Sequence, residues 1–350
     1  MGIIKFENIG IRSISASVPK EVVKTIDQVG FFNEKQLNNF IETTGVEQRR
    51  IAPSNMCASD YCLNAANILL DNNNIDRNEI DALIFISQTP DYKIPGTSII
   101  LQNKLGLRSD IIAFDVNLTC SAYLYGLFIS YSILNNPNIK NVLLLVGETL
   151  SKITSKTDKS TSLLLGDAAC ASLINKDEKY GVSYFSLNTD GSLYDAVIVP
   201  GGGFRNMSSN ETLKSKEFED GSIRNDEQLA MRGPDVFGYA VSKLPKDVKK
   251  ILTESNIKEE EIDKFIFHQA NRFMNQMIVK KLKVDQSKVL YSIEKYGNTS
   301  GVSIPLTIVD QKSEIKNNSK ILMNAIGAGF SWGSIILDLV DCNIIDLNEL

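Results

Sequence analysis

Ala113-Phe-Asp-Val-Asn-Leu-Thr-Cys120-Ser-Ala-Tyr-Leu-Tyr-Gly126 is the stretch on which the reading of this chain turns. Ile111 to Val116 is an apolar run of strand length that reads as a buried strand. Ser121 to Leu134, rich in Leu, Ile, Tyr and Phe, reads as a buried helix. Cys120 falls at the junction, where the first turn of a helix leaves its N–H groups without intrahelical partners. Those donors and the helix dipole favour a thiolate, so the position predicts a cysteine of lowered pKa prepared for nucleophilic attack. A buried cysteine that only packs is the competing reading of the same residue.

The chain around this stretch has 350 residues, 43% of them hydrophobic and 23% charged, enough for two domains or one large double unit. A formal charge of −5 argues against a nucleic-acid partner. No apolar run approaches the ~20 residues of a membrane span. The opening Met1-Gly-Ile-Ile-Lys-Phe-Glu lacks the basic-then-apolar layout of a signal peptide, so the expected compartment is the cytoplasm. The five cysteines, Cys57, Cys62, Cys120, Cys170 and Cys342, are odd in number and irregular in spacing, which predicts no disulfide framework. Only one histidine accompanies them and no zinc-type spacing occurs, so no metal site is expected.

A distant repeat organises the rest. Asn74-Ile-Asp-Arg-Asn-Glu-Ile-Asp-Ala-Leu-Ile-Phe85 is matched by Asn256-Ile-Lys-Glu-Glu-Glu-Ile-Asp-Lys-Phe-Ile-Phe267, with seven of twelve positions identical. So long a period points to a duplicated α/β half rather than a solenoid. Val142 to Gly147 is answered by Ile321 to Gly327, and the Cys120 junction by Gly297-Asn-Thr-Ser-Gly-Val302. The expected halves are residues 1–180 and 181–350, each alternating buried strands with helices. Helices are also expected from Asn33 to Thr44, ending at Gly45, and from Ser59 to Leu70, capped by Ser59 or Asp60. Gly201 to Gln228, opening on Gly-Gly-Gly and rich in polar residues, reads as a flexible surface excursion. It lacks the Gly-Lys-Ser/Thr ending of a phosphate loop.

His268, the only histidine, closes the strand Lys264-Phe-Ile-Phe267 and has a near-neutral intrinsic pKa suited to proton work. Asn298 lies at a helix start, where asparagine commonly caps. Singly, each has an ordinary structural reading. Together, Cys120, His268 and Asn298 occupy strand-to-helix junctions of two related halves, and the carboxyl ends of parallel strands converge on ligand sites. The small-residue turn within Asn324-Ala-Ile-Gly-Ala-Gly-Phe-Ser-Trp-Gly333 can bring backbone N–H groups close to a reacting carbonyl.

The segments Asn117-Leu-Thr-Cys120-Ser, His268-Gln-Ala-Asn271, Gly297-Asn-Thr-Ser300 and Gly327-Ala-Gly-Phe-Ser-Trp-Gly333 resemble the β-ketoacyl-acyl-carrier-protein synthase III family of the thiolase superfamily. Thr44-Gly45, Thr89-Pro-Asp-Tyr92, Gly147-Glu-Thr149, Thr157-Asp158 and Gly166-Asp167 fall where that family has similar motifs, so the resemblance spans nearly the whole chain. It implies a thiolase-like duplicated α/β fold in α-β-α-β-α layers, and a homodimer. It implies that Cys120 takes an acyl group from a thioester, with the backbone N–H groups of Cys120 and Ala328 holding the oxyanion. His268 and Asn298 would bind a malonyl-type extender during decarboxylation, and acyl-carrier protein would be the partner. No metal or redox cofactor is implied. The resemblance further places Ile94, Lys159, Asn271 and Phe330 at substrate-binding positions, and Arg272, Lys280 and Lys281 at the carrier-docking helix.

Some positions depart from the family pattern. Asn39 and Lys159 stand where a tryptophan and an arginine hold the adenine of coenzyme A, and Thr43 replaces a second arginine. Neither lysine nor asparagine reproduces a planar stacking partner, which points to a carrier-bound acyl donor. Phe273 takes the place of a docking arginine, next to Arg272. Ile94 replaces an aromatic gate that reaches across the dimer, and Ala328 replaces a glycine, which predicts an ordinary backbone angle there. Two other functions remain open at this point: an acyltransferase moving the Cys120-bound group to a hydroxyl or amine, and a non-catalytic partner subunit.

Overall fold

Ala82-Leu-Ile-Phe-Ile86 contains no polar residue because both of its faces are covered. In the computed structural model, which describes residues 2–350, Ile84 and Ile86 point into a central core while Leu83 and Phe85 point into an outer one. The principal strands are β1 (Ile4–Glu7), β2 (Ile9–Val18), β3 (Ala82–Ile86), β4 (Ile112–Val116), β5 (Asn141–Glu148) and β6 (Ala168–Lys176). They continue with β7 (Val182–Thr189), β8 (Lys264–Phe267), β9 (Ser319–Gly327), β10 (Ser331–Leu339), β11 (Asn343–Ile344) and β12 (Asn348–Glu349). The main helices are α1 (Glu34–Thr44), α2 (Ala58–Asn72), α3 (Thr97–Lys104), α4 (Ala122–Leu134), α5 (Gly233–Ser255), α6 (Arg272–Leu282) and α7 (Ser303–Asp310).

One sheet has the order β11-β2-β6-β5-β3-β4, with β12 also on β2; the other has the order β1-β7-β10-β9-β8. Helices α4 and α7 lie between the sheets, α2 and α3 cover the outer face of the first, and α5 and α6 cover the outer face of the second. These are the five α-β-α-β-α layers. The parallel pairs are β3–β4, β3–β5 and β8–β9; β3, β5 and β9 lie inside their sheets with both faces covered and are nearly continuous apolar runs.

The repeat is visible in backbone detail. Asn74 and Asn256 both adopt left-handed angles (φ 51° and 58°), a conformation asparagine tolerates better than most residues. Each is followed by a short 3-10 turn, Arg77–Glu79 or Glu259–Glu261, and then by β3 or β8. Asp81 and Asp263 close the equivalent joints, accepting from the Lys140 and Lys320 backbone N–H groups respectively. A parallel bridge from Phe265 to Val289 lies beside β8 where β4 lies beside β3. The chain changes sheet between Lys176 and Val182, yet β1 belongs to the second sheet, and β11 and β12 return to the first.

Three local expectations are corrected. β4 is an edge strand with Ile112 exposed and its other residues half-buried, because no strand among the described residues pairs with its outer side. The cap of α2 is Cys57, with Asp60 at the third helical position accepting from the Cys57 N–H; neither Ser59 nor Asp60 occupies the cap. The 201–228 excursion is pinned rather than loose. Lys216–Glu217 pairs with Ile223–Arg224, Glu227 accepts from Ser208 and Thr212, and Gly201 N–H donates to Asp226 C=O. The helix after Asn33 forms as expected, with an Asn33/Gln36 capping box and Gly45 left-handed at its end.

The turn at Ser300–Val302 packs directly on the start of α4 and on β5. Gly301 makes this approach possible, since a Cβ there would lie 2.6 Å from Ala122 Cβ and 3.0 Å from Thr119 O. Both atoms are fixed to backbone. Gly301→Ala is therefore expected to destabilise the fold by about 2 kcal/mol through overpacking, read as a lowered denaturant midpoint in equilibrium unfolding. An unchanged midpoint would mean that the two junctions are not in close contact.

Candidate active site

The carboxyl ends of the parallel strands deliver the functional groups. Gln88 follows β3, Cys120 follows β4, His268 follows β8 and Ala328 follows β9, while Asn298 arrives from the turn before α7. All five line one cavity of about 110 Å³. Its remaining wall is largely apolar, with Leu164, Leu165, Val197, Leu229 and Met231 on one side. Phe330 stacks on Tyr239 with ring centroids 4.3 Å apart, and Asn271, which caps α6, also lines the cavity.

Cys120 precedes α4, whose first residue is Ala122. Its thiol is not lowered in the resting chain. Burial pushes it up to about 11, a hydrogen bond from the Ser300 hydroxyl opposes the rise, and the carboxyl of Glu148 adds to it. Removing a sulfur from water outweighs the helix-end effect expected from the sequence. The thiol therefore waits protonated.

His268 is more deeply buried than half-buried Cys120, and burial lowers it to about 3, partly countered by a backbone contact at Ser300. It is neutral at physiological pH and a weak base, contrary to the near-neutral value expected of an open imidazole. Its neighbours accommodate the tautomer with hydrogen on Nε2. Gln269 N–H donates into Ser303 Oγ, so the Ser303 hydroxyl is free to donate to His268 Nδ1, 2.7 Å away. Nε2 then carries the hydrogen.

Asn298 accepts the Ser300 N–H on its Oδ1 at 2.9 Å, which leaves its Nδ2 amide as the group presented to the cavity. Ala328 N–H donates to Thr119 Oγ1 at 2.6 Å. Ala328 stays out of the left-handed region, and the required positive φ of 107° falls on Gly329. The cavity thus combines one thiol with three N–H donors: His268 Nε2, Asn298 Nδ2 and Ala328 N.

Ser300 was quoted within a motif but given no role by the sequence. It touches all three principal residues, through Oγ to Cys120 Sγ, N–H to Asn298 and backbone to His268. Gln88 and buried Glu148 lie behind it and were given no role by the sequence, although Gln88 adjoins the Thr89 motif and Glu148 is the middle residue of Gly147-Glu-Thr149.

The other expected positions lie elsewhere. Ile94 is 84% exposed on the surface and does not line the cavity of its own chain. Lys159 lines a separate cavity of about 360 Å³ with Asn39 and Thr43, its Nζ donating to Asp220 C=O at 2.6 Å and lying 5.9 Å from the Phe31 ring. On α6, Arg272 is paired with Glu294 at 2.7 Å, Lys280 is exposed, and Lys281 reaches back to the Val241 C=O of α5. The three do not form one free basic cluster.

The duplicated five-layer architecture is that of the thiolase superfamily, whose condensing members are acyltransferases. Residues 114–191 match the family described as 3-oxoacyl-[acyl-carrier-protein (ACP)] synthase III, and residues 252–339 match its C-terminal family. The chain is 34% identical over 343 residues to the β-ketoacyl-[acyl-carrier-protein] synthase III of Campylobacter concisus, covering 96% of this chain and 98% of that one. It is 31% identical to the enzyme of that name from Ehrlichia canis over 331 residues, covering 93% and 98%. The crystal structure of a 3-oxoacyl-(acyl-carrier protein) synthase from Burkholderia xenovorans superposes with a TM-score of 0.93 at 33% identity, covering 99% of both chains. The chain belongs to the β-ketoacyl-[acyl-carrier-protein] synthase III family.

Burial raises Glu148 from 4.5 to about 8, against hydrogen bonds from the Gln88 side chain, the Gln88 N–H and the Thr89 hydroxyl. A carboxyl raised on folding stabilises the native state fully below its unfolded pKa, and that contribution is lost as pH climbs through the folded value. Glu148→Gln is therefore expected to gain in melting temperature relative to the native sequence between about pH 5 and about pH 8. Parallel melting curves across that range would show that Glu148 is charged throughout.

Proposed function

We propose that this enzyme of fatty-acid biosynthesis condenses an acyl thioester with malonyl-acyl-carrier protein through an acyl-Cys120 intermediate. The observation that carries the assignment is the convergence of Cys120, a neutral His268 and Asn298 on one apolar cavity. In the first half-reaction the Cys120 sulfur attacks the acyl thioester carbonyl, and the leaving thiol takes up the cysteine proton. The backbone N–H groups of Cys120 and Ala328 hold the tetrahedral oxygen, which replaces the Thr119 hydroxyl as the acceptor at Ala328. Such a donor is worth ~2.7–4 kcal/mol of barrier.

In the second half-reaction His268 Nε2–H and Asn298 Nδ2 donate to the thioester oxygen of the malonyl unit. Carbon dioxide departs with cleavage of the carboxyl–methylene bond, and its electron pair is held as an enolate by the two donors. The enolate carbon attacks the acyl-Cys120 carbonyl, and collapse of that adduct breaks the carbon–sulfur bond, releasing the β-ketoacyl product and the Cys120 thiolate, which takes a proton from solvent. Condensation is favoured over transfer to an alcohol because that transfer needs a base, and His268 is too weak a base for the role. The reaction uses thioester substrates and no resident metal or redox group.

Lys159, anchored on Asp220, and Asn39 offer no planar partner to an adenine, which supports a carrier-bound acyl donor. Exposed Lys280 and Arg272, the latter paired with Glu294, are the groups on α6 that we assign to an acidic carrier; the cap of that helix, Asn271, lines the cavity. A homodimer formed across β4 would continue the first sheet and cover Ile94, Ile99 and Ile112, which otherwise stand exposed beside an unpaired edge. No helix among the described residues is long and apolar enough to cross a membrane, and five free cysteines suit a reducing compartment, which we take to be the cytoplasm.

Intact-mass measurement after incubation with acyl-carrier-protein and acyl-coenzyme A thioesters tests the assignment. Acyl adducts are expected on the native sequence and not on Cys120→Ala. His268→Ala and Asn298→Ala should still acquire the adduct but discharge it into β-ketoacyl product at least about 10²-fold more slowly. Discharge only onto an added alcohol or amine would replace condensation with simple acyl transfer. By sedimentation the native chain should be a dimer, and Ile99→Glu with Ile112→Glu should shift it to monomer; a monomeric native chain would remove the dimer.

A further inference from the structure

Behind the nucleophile runs a chain of hydrogen bonds that the condensation chemistry does not itself require. Ser300 Oγ lies 3.5 Å from Cys120 Sγ, within reach for a hydrogen bond to sulfur. Gln88 Nε2 lies 2.8 Å from the same Ser300 oxygen. The Gln88 side chain and its backbone N–H both bond Glu148, which is fully buried at the end of β5.

The direction of each bond follows from what each atom can do. Glu148 accepts the Gln88 backbone N–H, which holds the residue in place, and the Gln88 NH₂ group is directed at Ser300 Oγ. That group can only donate, and it fills an acceptor site on Ser300 Oγ. The Ser300 proton is thereby turned away from Gln88 and toward the sulfur. With one lone pair filled by Gln88, the hydroxyl is biased toward donating to the sulfur and against accepting from the thiol. Hydrogen bonding to the charged form favours that form, so the arrangement works against the desolvation that otherwise holds the thiol protonated.

Ser300 is held for this task at some cost to itself. Its backbone is left-handed, with φ 52°, an uncommon angle for a residue bearing a side chain. The Asn298 side chain accepts its N–H and stabilises that geometry.

We propose that Gln88 is a positioning residue for Cys120: it fixes the Ser300 hydroxyl as a hydrogen-bond donor to the reacting sulfur, and buried Glu148 fixes Gln88 in turn. The proposal rests on Cys120 being the nucleophile of the reaction above. The titratable groups facing the sulfur are Glu148, from the end of β5, and His268, from the end of β8.

The test is the pH dependence of Cys120 alkylation by iodoacetamide, followed by peptide mass on the full-length protein. Alkylation needs no thioester, so its outcome stands apart from any failure of the condensation assay. Ser300→Gly removes the hydroxyl and accepts the left-handed backbone, and so guards against a folding defect in Ser300→Ala. Both variants are expected to raise the apparent pKa of alkylation by about one unit, lowering the rate near neutral pH about tenfold. Gln88→Met, of similar length but without a donor, should move the profile in the same direction. The double variant Gln88→Met/Ser300→Gly should match Ser300→Gly alone, because Gln88 acts only through Ser300. Profiles unchanged in both Ser300 variants would overturn the donor, and additive effects in the double variant would overturn the role of Gln88.

Discussion

The approach of the Ser300 turn to the Cys120 turn is the constraint on which the site depends. The two turns come from different halves of the duplication, 180 residues apart in sequence. They meet because Gly301 has no side chain to hold them off Ala122 and the Thr119 carbonyl. From that contact one residue reaches the sulfur, the asparagine and the histidine at once. A structured polar cluster of this kind sits in low dielectric, where each bond is stronger and each missing partner costs more.

That setting explains why the titrating groups stand so far from their ordinary values. Cys120 is raised, His268 is lowered and Glu148 is raised, with burial the largest cause in every case. All three shifts favour the uncharged state. The resting site is therefore a neutral, apolar chamber furnished with N–H donors, and charge enters it with the substrate. Donors fixed in advance need not reorganise when an oxyanion or enolate develops, which is where such sites gain most of their rate.

Much of the fold was legible in particular residues. The repeated Asn-Ile-x-x-x-Glu-Ile-Asp signature marked equivalent left-handed turns and equivalent aspartates, because the same backbone geometry demands the same residue types. The gathering of Cys120 and His268 was legible from the rule that parallel strands present their carboxyl ends together, whereas Asn298 joins them from a turn that follows a short helix rather than a strand. Their protonation states were not, since a pKa depends on depth below the surface, and sequence position says little about depth. Ile111 to Val116 looked buried because apolar runs do not distinguish a covered strand from an edge awaiting a partner. Gln88 and Ser300 escaped assignment because an uncharged polar residue gains its meaning only from what it faces.

The crossing of the chain's two extremities has a further effect. β11 pairs with β2 through Asn343 and Ser13, 330 residues apart, and β1 leaves its own half to join β7. Neither sheet can be completed from one half alone. As the polypeptide emerges from the ribosome, this edge of β2 stays uncovered until residues 343–349 have been made. An unpaired strand edge held open for so long invites pairing with other chains. The order in which the strands are made is thus a folding constraint of its own, separate from the stability of the finished fold.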